Sequence, residues 1–109
     1  MNYEIRIKNM RTDKLNYYSW EFRVDRASVV GNPFYMSNES KRNEVCDKYG
    51  AYFNEQIKTN KAFQQYLETM LNALRTYKKV YLYCWCYPKR CHAETIQNWL
   101  LKSIKEENE

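Results

Sequence analysis

The chain has 109 residues and a mass of 13.4 kDa, enough for a single domain spanning 1–109. Hydrophobic residues are 44% and aromatic residues 17% of it, which excludes disorder along the whole length, and two Gly and two Pro exclude collagen-like or linker-rich architectures. Eighteen Lys and Arg against thirteen Asp and Glu leave a charge of +5, which favours phosphate-bearing partners without identifying one.

Residues 3–9 alternate, with Tyr3, Ile5 and Ile7 on one side and Glu4, Arg6 and Lys8 on the other, which predicts a half-buried strand. After the polar break at 11–14, residues 17–24 read as a second strand, with Tyr18, Trp20, Phe22 and Val24 on one face. The stretch 25–40 has no helical period and contains Gly31-Asn32-Pro33, so it is a loop. A loop of that length in a small domain is usually functional.

A helix is expected to open near Ser40 and to carry Val45, Tyr49, Tyr52, Phe53 and Ile57 at helical spacing. A second, Lys61 to Tyr77, places Phe63, Tyr66, Leu67, Met70, Leu71 and Leu74 on one apolar face, read as core. Residues 79–86 predict a third strand, apolar on both faces and therefore central. From Cys91 or His92 a last helix runs to about Lys105, and the tail 106–109 is expected to fray.

The fold class expected is α/β: a small mixed sheet of three or more strands flanked by helices, Rossmann-like in type. Strands one and two could pair antiparallel, and the second and third are far enough apart for a parallel crossover. No apolar run approaches the roughly 20 residues of a membrane span. The opening Met1-Asn2-Tyr3-Glu4-Ile5-Arg6 is not the apolar stretch of a signal peptide, so a soluble, cytoplasmic protein is expected.

Ligands of open α/β sheets gather beyond the carboxyl ends of the strands. The loop 25–34 and the turn 86–92 both leave such ends, and the second feeds a helix whose first N–H groups attract anions. Lys89, Arg90 and His92 sit at that mouth, and Arg26 sits in the other loop. The expected ligand-binding set is Arg26, Ser28, Gly31, Asn32, Cys91, His92 and Arg90. Gly31 would serve a positive φ or a close backbone approach, and Asn32 would fix the loop. An alternative is hydrolysis in the same pocket, with Asp25 or Glu94 as acid or base, although no nucleophile–base pair stands out.

Cys84, Cys86, Cys91 and His92 supply four zinc ligands by count. On a strand, however, Cys84 and Cys86 would lie about 6.6 Å apart by strand rise, too far for easy sharing of one ion. Buried packing is the simpler role, and neither metal nor cofactor is expected. Eleven tyrosines with a positive charge allow a nucleic-acid reading, but most aromatics fall at core positions. The partner expected is a phosphate-bearing small molecule; a second copy of the chain is compatible, a membrane is not, and nucleic acid is disfavoured.

Two blocks, Asp25-Arg26-Ala27-Ser28-Val29-Val30-Gly31-Asn32-Pro33-Phe34 and Cys84-Trp85-Cys86-Tyr87-Pro88-Lys89-Arg90-Cys91-His92, resemble the domain-of-unknown-function family 4326, small proteins of phages and bacteria. Arg26, Ser28, Gly31, Asn32, Pro33 and Phe34 match the first block of that family; Cys84, Trp85, Cys86, Cys91 and His92 match the second, with Pro88 within one position. Asp25 departs from the usual glycine, and Ala93 from a frequent one. The likeness spans about residues 16–101. It implies, by analogy with Rossmann-like domains, a nucleotide or ADP-ribose-like ligand, and for a phage protein the sequestering of a host defence signal.

Overall fold

A computed structural model describes residues 2–108. Strand β1 (Glu4–Asn9), strand β2 (Glu21–Arg23) and strand β3 (Lys79–Cys84) form one sheet in the order β1-β3-β2. Both pairings are parallel: Ile5 stands opposite Val80, Ile7 opposite Leu82, and Phe22 opposite Leu82 from the other side. The α/β class holds and β3 is central. The antiparallel pairing of the first two strands does not occur, so the sheet is wholly parallel rather than mixed. Placing β3 between them lets its core-facing Val80 and Leu82, both fully buried, gain apolar neighbours on either side.

Helix α1 (Arg42–Thr59) is preceded by one 3-10 turn, Glu39–Lys41, whose cap is Asn38: its side chain accepts the Ser40 N–H. Asn60 ends α1 and caps helix α2 (Lys61–Tyr77), accepting the Phe63 N–H at 3.2 Å, so the two helices meet in a single-residue corner. The α2 stripe is core as expected, with Phe63, Leu67, Met70, Leu71 and Leu74 all buried. Helix α3 (Ala93–Glu107) adds Ala93, Ile96, Leu100 and Ile104 to the same core. One cluster therefore joins Phe22, Val80, Leu82 and Cys84 of the sheet to all three helices, which lie on one face. At about 25 cal/mol per Å² of apolar surface removed from water, this face is the main source of stability.

Among the described residues the opposite face has no helix. Tyr81 and Tyr83 point there; the Tyr83 hydroxyl donates to Glu21 at 2.7 Å, and the Lys8 and Lys79 ammonium groups sit over the Tyr81 ring. This polar and aromatic cover replaces the second apolar layer that the sequence pattern suggests.

Three boundaries differ from expectation. The second strand is three residues rather than eight, because Glu21 accepts the N–H groups of Asn16 and Tyr18 and curls the chain, with Tyr17 at φ 57°. Tyr18 is consequently exposed rather than core. The third strand stops at Cys84, where its β1 partner also ends at Asn9 and leaves residues 85 and 86 unpaired. Finally, α3 continues to Glu107 instead of fraying after Lys105, since Arg75 binds the Glu107 carboxylate and the Asn108 side chain donates to the Ile104 carbonyl. Glu109 lies outside the described residues.

Candidate functional site

Parallel pairing of β2 with β3 brings the loop after β2 beside the turn after β3. A cavity of about 440 Å³ opens between them and the start of α1. Ala27, Phe34, Met36, Val45 and Trp85 make its walls largely apolar, while Arg23, Arg26, Arg42 and Arg90 contribute guanidinium groups. An apolar cleft with a few convergent charges at strand carboxyl ends is the usual form of a small-molecule site.

The loop is held by its own residues. The Ser28 hydroxyl donates to the Asp25 carbonyl at 2.7 Å, the Gly31 N–H donates to the Ser28 carbonyl, and Asn32 accepts the Phe34 N–H at 2.9 Å. Gly31 is required by close approach, not by a positive φ: a Cβ there would meet the Asp25 carbonyl oxygen at 2.4 Å. Val30, fully buried, pins the loop to α1 by accepting the Tyr49 hydroxyl. Ser28 and Gly31 thus shape the loop without lining the cavity, whereas Arg26, Asn32, Arg90, Cys91 and His92 line it.

Asp25 is buried beneath the loop, where both its oxygens accept from Arg23 Nε, and one accepts Trp85 Nε1 at 2.8 Å. Burial pushes this carboxyl up, but the hydrogen bonds from Arg23 and Trp85 outweigh it and hold Asp25 below its ordinary range. It is an ionised fixture rather than a proton donor. Glu94 does not share the cavity; it lines a separate groove beside β1 with Arg6 and Pro88. The two carboxylates considered for acid/base work are not brought together.

His92 is also buried, its ring edge-on to Tyr49, and its Nε2 meets the Val24 carbonyl. A carbonyl can only accept, so Nε2 carries the proton. Burial lowers His92 below its ordinary value and keeps the ring neutral. At the mouth of α3 the Ala93 N–H already donates to the Cys91 sulfur, and the Glu94 N–H to the Cys91 carbonyl. The helix start is therefore partly engaged by the chain itself.

The guanidinium groups differ in their partners. Arg23 is paired with Asp25, Arg42 with Glu39 and Arg90 with Asp47. Among the described residues Arg26 has no carboxylate partner, and its Nη2 donates only to the Phe34 carbonyl at 2.7 Å. Arg26 is the cavity's uncompensated positive charge.

Because β3 ends at Cys84, the strand spacing expected to separate Cys84 from Cys86 does not apply: Cys86 lies past the strand, in a turn closed by the Lys89 N–H on the Cys86 carbonyl. The turn returns Cys91 to the sheet, with its sulfur 3.3 Å from that of Cys84. Among the described residues no three His, Cys, Asp or Glu side chains are disposed to hold a metal ion. Nor is any described helix long and apolar enough to cross a membrane.

Sequence reasoning missed Arg23 and Arg42. The first had a local signal: Arg23 and Asp25, two apart at a strand end, share a face. The second had none, since Arg42 joins the site only when α1 lies against the turn and donates to the Arg90 carbonyl at 2.8 Å. No curated protein and no solved structure matches this chain. A family model, Domain of unknown function (DUF4326), matches residues 7–102, the cavity residues included, and the chain belongs to that family.

Proposed function

We propose that the cavity binds a small phosphate-bearing molecule of the nucleotide or ADP-ribose class. The observation that carries this reading is Arg26, a cavity guanidinium with no carboxylate partner, facing apolar walls large enough for a nucleoside-sized group. Arg26 supplies the charge to the phosphate, Asn32 holds the loop, and Phe34 and Trp85 offer surfaces for a planar ring. Binding ranks above hydrolysis because Asp25 is already spent on Arg23 and Trp85, and Glu94 lines a different groove. Binding alone would suffice to withdraw a cytoplasmic nucleotide signal, the role that the family resemblance suggests for a phage-borne chain.

A nucleic-acid reading would use the open sheet face, where Lys79 lies over Trp20 and Lys8 over Tyr81. Glu4 and Glu21 lie on that face beside Tyr81 and Tyr83 and oppose a phosphate backbone, which favours the cavity.

Thermal-shift titration with mononucleotides, cyclic dinucleotides and ADP-ribose tests the proposal. A true ligand at 100 times its dissociation constant stabilises the fold by about 2.7 kcal/mol, and Arg26→Ala removes the shift. Absence of any shift across these phosphorylated compounds refutes it. Turnover beyond protein stoichiometry would move the assignment to hydrolysis.

A further inference from the structure

Strands β1 and β2 are the two edges of the sheet, and the chain treats them differently. In a parallel ladder alternate residues turn their backbone groups toward the partner strand. The Glu4 N–H donates to the Lys78 carbonyl and the Met10 N–H to the Cys84 carbonyl, so even residues of β1 face β3 and odd ones face outward. At the β2 edge the outward Glu21 N–H donates to the Tyr18 carbonyl, and the Arg23 carbonyl accepts the Tyr66 hydroxyl. At the β1 edge Gln97 donates to the Ile5 carbonyl and the Asn9 N–H donates to Asp13. Among the described residues, however, the Ile5 N–H and both backbone groups of Ile7 have no partner. Open groups along an edge strand are a template for another strand.

We propose that this edge pairs with the β1 edge of a second copy of the chain, antiparallel about a two-fold axis at Ile5. The three strands of each copy then form one continuous sheet. Charge complementarity selects both the partner and the register. On the helix-free face β1 carries Glu4, Arg6 and Lys8 in alternation. Registers centred on Glu4, Arg6 or Lys8 set that residue against its own like charge, and the one centred on Ile7 sets Arg6 against Lys8. The register centred on Ile5 sets Glu4 of each copy against Arg6 of the other and makes no like pair. There Ile5 exchanges bonds with Ile5, and Ile7 with Tyr3, just ahead of the strand. The Ile5 carbonyl keeps a second lone pair for this beside its Gln97 bond. Glu4 and Arg6 touch within one chain and exchange partners across the axis. A two-fold pairing also closes on itself, so no open β1 edge remains to recruit a third copy.

The surface beside the strand fits the same partner. Two grooves lie along β1, one lined by Tyr3, Leu101 and Ile104, the other by Ile5, Ile7 and Gln97. Leu101 is exposed on α3. A second copy in this register brings its own α3 alongside and covers that side chain. No residue of β1 lines the ligand cavity, so the pairing is independent of the function proposed for it.

Sedimentation equilibrium of the full chain tests this without any ligand. From about 1 µM to about 1 mM the mass should rise from 13.4 kDa toward twice that value. Glu4→Arg turns both opposite-charge contacts into like-charge ones and should raise the dissociation constant about tenfold or more. Combining Glu4→Arg with Arg6→Glu should restore it, a rescue that a merely structural role for either residue would not produce. Ile7→Pro should leave a monomer with the β1–β3 ladder intact, because the lost N–H faces away from β3. Should the Pro variant fail to fold, the charge reversal and its rescue carry the test on the sheet's exposed face. A chain that stays monomeric to about 1 mM would leave the edge to a strand of another protein and overturns the proposal. So does a dimer indifferent to the charge reversal.

Discussion

The Tyr49 hydroxyl donates to the Val30 carbonyl at 2.6 Å, joining the middle of helix α1 to the deepest point of the loop 25–34. Both groups are fully buried, so no water can replace either partner. Burial accordingly pushes the Tyr49 phenol well above its ordinary value, and it donates throughout the accessible pH range. Tyr49→Phe leaves the Val30 carbonyl unpartnered and should cost about 1–3 kcal/mol, read from urea unfolding. A loss below about 0.5 kcal/mol would mean that the loop relaxes to find another donor.

Gly31→Ala tests the tightness of the same loop. The added carbon meets backbone on two sides, the Asp25 carbonyl oxygen at 2.4 Å and the Arg26 Cα at 2.6 Å, neither of which can swing away. Forced overpacking of this kind costs about 1–3 kcal/mol, and the displacement should also shift Arg26. Thermal melting together with the ligand titration would detect both effects. Gly50→Ala is the control: nothing lies within 4 Å of its added carbon, and helix propensity should make it neutral or stabilising.

His92 should govern stability on the mildly acidic side of neutrality. It is the only histidine, and its folded value lies below the ordinary 6.5, so the unfolded chain binds the proton first. Stability should therefore be fully present above about pH 6.5 and decline as pH falls below it, with about one proton taken up on unfolding. Asp25, whose folded value lies below 3.8, adds a separate loss only as pH falls through the acid range beneath that. Replacing His92 with Gln, which keeps a donor for the Val24 carbonyl, should flatten the first decline and spare the second. Urea midpoints across about pH 2 to pH 8 would resolve the two.

Arg75→Ala should change little, although Arg75 touches both Glu68 and Glu107. All three side chains are more than a third exposed, and pairs in that setting contribute about 0–1 kcal/mol. The change should appear as fraying at the end of α3, visible as faster amide exchange there, rather than as a lower melting temperature.

The parts legible in the sequence were those in which one periodic pattern met one buried face. The α2 stripe from Phe63 to Leu74 and the alternation of Val80 and Leu82 state their own burial. The central place of β3 was legible from its two apolar faces; that the first two strands do not pair was not, because Ile5 and Phe22 look equally suited to each other and to β3. At the site, the loop 25–34 announced itself through Gly31 and Asn32, and Arg26 was found from charge and position. Which guanidinium groups were already neutralised could not be read locally, since Asp47 meets Arg90 across 43 positions of chain.

Strand order also governs how the protein can be born. With β3 seated between β1 and β2, neither outer strand has a sheet partner until residues 79–84 exist. A nascent chain that has emerged only as far as Tyr77 can form α1 and α2 but no sheet, and the apolar stripe of α2 has nothing flat to cover. Each ladder bond of β1 then closes a loop of most of the chain, the kind of distant contact that slows folding. The cavity, built from the ends of β2 and β3, is therefore among the last features to exist, and a chain truncated before Cys84 would lack its floor and every group that lines it from the second block.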